Sequence, residues 1–274
     1  MFERAAELLQ HLYVITGQPF SDDSLWSVLG VLAIYFLAFM ARGAIGFGAI
    51  APAVTLSSFL IAPQHAVLLA VMTATIPQLQ LLPEGIRHGD WHVGRPVIAA
   101  LLVTIVVGVW LFTKIDARWF DLVLGCAMSM IVLLDTTRML ERAAARYDLR
   151  SPKVAFALSS IAGLTAGFAG AGGLMLFAVY LKHACRDYVS LRATAALLGT
   201  VLIVWRVIAT IGAGLVTVQL VTESVLMLPG VFVGVWIGSR YFRNMDAKRY
   251  YNLFQAVLLI SAVGLMIQGV AKLF

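Results

Sequence analysis

The sequence predicts an all-α, polytopic membrane protein built as an inverted repeat of two halves, and three observations lead there. First, the 274 residues are 61% hydrophobic and only 12% charged, whereas soluble domains run near one-quarter charged. Second, with a mean hydropathy of +0.91, several apolar runs reach the roughly 20 residues a helix needs to cross a bilayer. Third, the two halves of the chain resemble each other.

Taken in order, residues 1–24 read as an interfacial segment. Phe2, Ala5, Leu8, Leu9, Leu12 and Tyr13 recur at helical spacing, and Glu3, Arg4 and Glu7 interrupt any signal-like apolar core. Apolar segments follow at about 25–41, 44–61, 64–82, 95–113 and 118–138, which make the first membrane repeat, 25–138. A basic linker spans 139–153. The second repeat, 154–274, holds segments at about 154–169, 172–182, 191–215, 220–241 and 249–272. In each half the second segment is short and joins its predecessor through glycines: each half then has about three spans plus a glycine-broken helix pair.

Basic loops set the expected orientation. Arg138, Arg142, Arg146, Arg150 and Lys153 cluster between the halves; Arg87 with Arg95, Lys182 with Arg186 and Arg192, and Arg240 with Arg243, Lys248 and Arg249 mark other loops. All fall on the cytoplasmic side only if each glycine-interrupted stretch counts as two segments. Both termini are then external, and Lys114 with Arg118 is the exception. The expected location is the inner (cytoplasmic) membrane. The formal charge of +6 thus reports topology and lipid contact rather than nucleic-acid binding. Cys126 and Cys185 lie in or beside apolar runs and read as packing residues, with no disulfide framework or metal site.

The duplication rests on order and spacing. "VGVW" at 107–110 recurs at 233–236; Asp-Ala plus a basic residue recurs at 116–118 and 246–248; the run ending at Thr73 aligns with that ending at Thr200. The offset stays at roughly 126–130 residues, a half-chain period. An odd number of segments per copy makes the second copy start on the opposite side, the inverted architecture of many secondary transporters.

Two glycine stretches occupy corresponding places: "RGAIGFGAIAP" at 42–52 and "GLTAGFAGAGGLMLF" at 163–177. Small residues also let membrane helices pack closely. Paired interruptions in matching positions nevertheless point to a binding site. A helix starting inside the membrane aims unpaired N–H groups and a positive dipole end at what lies before it, and glycine lets a ligand touch those amides. Segments starting near Gly48 and Gly172 are expected to form two anion cradles, with Gly43, Gly46, Gly170 and Gly173 beside them.

This duplicated arrangement, with "GAIGFGAIAP" and "GFAGAGGLML", resembles the TauE/SafE family of sulfite and organosulfonate permeases, over nearly the whole chain beyond residue 24. The family pattern of a glycine cluster followed by proline is kept at Pro52; the second half has Phe177 in that place, and Ala171 interrupts its glycines. The resemblance implies a permease for sulfur-containing anions.

The charges agree with an anion. Arg42 and Arg206 lie within apolar segments, where an arginine costs at least about 2.5–3.5 kcal/mol. Neither has an arginine counterpart in the other half, which argues for a lopsided site. Asp121, Asp135 and Glu223 fall near segment ends, so the interior reads as free of carboxylates and the arginines call for an external counter-ion. A guanidinium fork suits an oxyanion head group. Thr73, Gln78 and Thr200 are expected to line the site, and Pro77 to kink its helix by freeing the Thr73 carbonyl. His65 reads as a surface histidine, and Trp205 as a lipid or packing residue.

The expected activity is secondary transport of a small oxyanion by alternating access, with no catalytic residue, metal or organic cofactor. A coupling proton or sodium ion is compatible with import, and an oligomer is compatible with the sequence. An anion channel, a non-transport membrane subunit and an embedded enzyme are the alternatives; the last would need a nucleophile–base pair or metal cluster, and no HExxH or close His/Asp grouping occurs in one span.

Overall fold

A computed structural model describes residues 20, 24–45, 48–137, 152–173, 180–181, 184–185, 187–241 and 247–273. Gly46, nearly all of the expected N-terminal helix and most of the 139–153 linker lie outside the described residues. The described chain runs through α1 (Leu25–Ile45), α2 (Ile50–Ser57), α3 (Pro63–Leu79), α4 (Leu82–His88), α5 (Trp91–Lys114) and α6 (Ala117–Thr136). The second half contributes α7 (Pro152–Ala169), α8 (Tyr188–Gly212), α9 (Val218–Tyr241) and α10 (Ala247–Leu273). Six of these (α1, α5, α6, α8, α9 and α10) are long and apolar enough to cross a membrane. The chain is a multi-pass membrane protein.

Local signals place the helix starts. Asp90 caps α5 by accepting from the His92 and Val93 amides at 3.0 and 3.3 Å, and Asp187 caps α8 by accepting from Ser190 N–H at 3.0 Å. Each satisfies an orphan first-turn donor. Within the bundle, hydroxyls fold back onto carbonyls four residues earlier, as Thr55 does to Ala51 and Ser159 to Ala155, so they add little polarity to the interior.

The expected single segment 64–82 is two helices. α3 continues through Pro77 and ends at Leu79, and α4 leaves at a 56° bend. Pro83 explains why the chain breaks there: it has no N–H for the Leu79 carbonyl four residues back and its ring crowds that carbonyl, whereas in the first turn of α4 its missing N–H costs nothing.

Glycines let four helices touch at backbone distance. A Cβ on Gly108 of α5 would lie 2.6 Å from the Leu164 carbonyl of α7, and one on Gly234 of α9 would lie 2.6 Å from the Phe36 carbonyl of α1. Such small-residue seams drive helix association where lipid removes the hydrophobic term. Contacts also fix direction. Gly163 meets Leu101 and Thr104 while Gly167 meets Ile105 and Gly108, so α7 runs parallel to α5. Gly234 meets Phe36 and Gly238 meets Met40 and Gly43, so α9 runs parallel to α1. By contrast α6 and α10 are antiparallel, with Asp121 near Lys272 and Gly125 near Ala262. Outward, Val103, Trp110, Ile260 and Ile267 are exposed, as a lipid-facing surface requires.

The bundle therefore has two ends. One gathers the exposed Arg87, Arg95, Arg192 and Arg240, with Arg192 paired to Glu84 at 3.5 Å. The other carries Lys114, Asp116, Arg118 and Lys272.

Candidate functional site

Both glycine stretches break their helices with left-handed backbone. Gly48 has φ +93°, Gly170 +77° and Gly172 +90°, a region L side chains enter only at a cost. After the first break α2 starts at Ile50, with Ala49, Ala51 and Pro52 buried. After the second, the chain is helical again at Gly173.

Arg206 of α8 faces the second break. It is 1% exposed, the largest side chain buried to that degree among the described residues, and among them its Nε and Nη1 have no hydrogen-bond partner. A Cβ on Gly170 would stand 3.7 Å from Arg206 Cζ, 3.0 Å from Val71 Cγ2 and 3.4 Å from Val67 Cγ1. Glycine thus leaves the guanidinium and the α3 valines room to meet over bare backbone. Buried guanidinium N–H groups are normally satisfied, and leaving one without a partner is expensive. Thr210, one turn on, donates its hydroxyl to the Arg206 carbonyl at 2.7 Å and accepts from neither of those two nitrogens.

Arg42 lies in the last turn of α1, 8% exposed. Its Nη2 donates to Gln78 Oε1 at 2.6 Å, and its Cζ lies 5.9 Å from the Phe39 ring centroid. Gln78 in turn reaches across to α8: its Nε2 is 3.4 Å from the Ala196 carbonyl and 3.5 Å from Thr200 Oγ1. Thr200 donates mainly to Ala196 within its own helix, at 2.8 Å, with the Gln78 carbonyl at 3.3 Å. Arg42, Gln78 and Thr200 therefore form one polar cluster joining α1, α3 and α8.

The two arginines stand at different heights. Arg206 is level with Val67 and Val71 of α3, Arg42 with Gln78. Seven to eleven helical residues separate those levels, about 10–16 Å at 1.5 Å per residue. One small oxyanion, with hydrogen bonds of about 3 Å, does not bridge both.

The other expected residues divide by packing. A Cβ on Gly43 would lie 2.4 Å from the Val235 carbonyl, so Gly43 belongs to the α1–α9 seam. Gly172 abuts Ile131, and Gly173 abuts Leu202. Thr73 is fully buried with an unpartnered hydroxyl, but it lies about 200° around α3 from Val71 at 3.6 residues per turn. It does not share the face that carries Val67, Val71 and Gln78.

One polar cluster departs from the sequence expectation. Glu223 is completely buried, and its carboxylate accepts from the Phe20 amide at 2.9 Å and Gln219 Nε2 at 3.0 Å, and pairs with His65. His65, at the start of α3, is a half-buried partner rather than a free surface histidine. Asp121 is likewise buried, against Lys272. Both carboxylates sit near helix ends, as their sequence positions required, but inside the protein; what the sequence did not carry was their partners 158 and 151 positions away. Trp205, about 100° around α8 from Arg206, donates from Nε1 to the Leu102 carbonyl at 2.8 Å and so pins α8 to α5.

A bundle of apolar helices broken at glycines, with two buried arginines and, among the described residues, no carboxylate bound to either, is the build of a membrane transporter. The model of the sulfite exporter TauE/SafE family matches residues 31–265, and the chain belongs to that family. Neither a curated protein nor a solved structure matches it.

Proposed function

We propose that the chain is a secondary carrier for a small oxyanion, sulfite or an organosulfonate, and that Arg206 with the backbone around Gly170 is its anion site. The observation that carries this reading is the pair of guanidinium nitrogens without a partner among the described residues on a fully buried Arg206. In a bilayer such a charge calls for a counter-ion, and an oxyanion supplies acceptors in the geometry the guanidinium fork favours. Helix-break amides beside it would add donors.

Alternating access fits two halves related as an inverted repeat. The reading is supported by helix directions: α7 and α9, the counterparts of α1 and α5, are each parallel to the other half's partner, and the corresponding pair α6 and α10 is antiparallel. With the arginine-rich end in the cytoplasm, an inside-negative potential favours anion exit by roughly 2.3 kcal/mol per charge per 100 mV. Export of an anion then needs no coupling ion.

Binding tests the site. Sulfite added to detergent-purified protein should raise the melting temperature of the wild type, because a ligand that binds only the folded state stabilises it by mass action. Arg206→Gln should remain folded and lose most of that shift. An undiminished shift in Arg206→Gln would remove Arg206 from the site.

A further inference from the structure

We propose that Gln78 is a stand-in ligand for Arg42, an internal amide that the transported anion must displace, so that Gln78 sets both the affinity of a second anion station and the closure of the bundle at its arginine-rich end. The proposal rests on the carrier reading above and concerns a different arginine.

Arg42 offers five N–H donors, and the hydrogen bond it makes among the described residues is to a neutral amide oxygen, Gln78 Oε1, at 2.6 Å. That contact is short, as charge-assisted bonds are, but an amide oxygen carries only a partial charge and engages one nitrogen. An oxyanion would offer full charge and two oxygens to the same fork. Gln78 therefore occupies the position an anion oxygen would take, and holds it less strongly than an anion would.

The other side of Gln78 is weakly tied. Its amide nitrogen reaches Ala196 and Thr200 of α8 only at 3.4 and 3.5 Å, the long limit of a hydrogen bond. The backbone beneath it is also weakly held. Pro77 removes the hydrogen bond to the Thr73 carbonyl, and the 56° bend between α3 and α4 follows directly after Leu79. An anion arriving at Arg42 would take the strong contact and leave Gln78 with the weak ones. The last turn of α3 would then be released from α1, with Gln78 keeping only its long contacts to α8, the helix that carries Arg206. Anion binding at one level is thereby linked to movement at the next.

The alternative is a static role, in which Gln78 merely satisfies a buried charge. Two substitutions separate the readings because they must act in opposite directions. Gln78→Ala removes the competitor and should tighten sulfite binding about tenfold, the worth of one hydrogen bond to a charged group. Gln78→Glu supplies a permanent carboxylate and should weaken sulfite binding by at least about tenfold on the same scale, without lowering the melting temperature of the anion-free protein. Titration of sulfite into wild type, both variants and each variant combined with Arg42→Gln reads this directly. Gln78→Met replaces the alanine variant if that one does not purify as a single species. In the Arg42→Gln background both effects should vanish.

Weaker binding in both single variants, or affinities within twofold of wild type, would overturn the proposal. If the wild type binds sulfite, loses it in Arg206→Gln and ignores both Gln78 variants, the inference at Arg42 fails while the carrier reading stands. If neither the wild type nor Gln78→Ala binds, both fail.

Discussion

Gly170 and Arg206 show most directly how single residues shape the site. At φ +77° a side chain costs about 1–2 kcal/mol in backbone strain alone, and a Cβ there would press on Val71 at 3.0 Å. Gly170→Ala should therefore lower the melting temperature and weaken sulfite binding together, since the new methyl also stands 3.7 Å from Arg206 Cζ. Gly230 is the control. It lies inside α9 with nothing within 4 Å of its would-be Cβ, so Gly230→Ala should be neutral or stabilising by up to about 1 kcal/mol. Both arginines were legible in the sequence because charge stands out in an apolar run. Their surroundings were not. Gln78 is expected from the sequence to line the site, but its direct bond to Arg42, 36 positions away, is set only by folding. Thr73 shows the converse: a polar residue in the right segment, but on the wrong face of its helix.

Among elements, the ends of α3 carry the connections between halves. At one end His65 and Gln219 close around Glu223, which also takes the Phe20 amide. His65→Leu would leave a buried carboxylate short of a partner, at a cost of about 1–3 kcal/mol or more for a charge. Thermal unfolding in detergent should show that loss, and Glu223→Gln added to His65→Leu should recover part of it. No recovery in the double variant would mean that His65 acts through packing alone. At the other end of α3 the helix break was only half legible. Pro77 marks weakness in the sequence, yet the helix runs through it and stops at Leu79, the residue whose carbonyl Pro83 cannot serve. A proline four residues beyond can thus end a helix that a proline inside does not.

At the scale of the whole molecule, composition and apolar periodicity carried the class of fold, because a lipid solvent leaves few solutions besides packed helices. The glycines of the recurring Gly-Val-Trp stretches, Gly108 and Gly234, each lie against the backbone of another helix, which fits the proposed repeat. The proposed orientation, with the arginine-rich end in the cytoplasm, has its own test in a Cys126→Ser, Cys185→Ser background. Cysteines at the exposed positions 87 and 192 should be shielded in intact cells from a membrane-impermeant maleimide, and a cysteine at 114 should react. Labelling of 87 and 114 from the same side would refute the two-ended topology. The central claim, that a small oxyanion crosses this bundle by way of Arg206, is tested by exchange in liposomes. Vesicles loaded with unlabelled sulfite should take up labelled sulfite saturably and faster than empty ones, and Arg206→Gln should abolish that exchange. Uptake that never saturates, or that proceeds equally through Arg206→Gln, would contradict it.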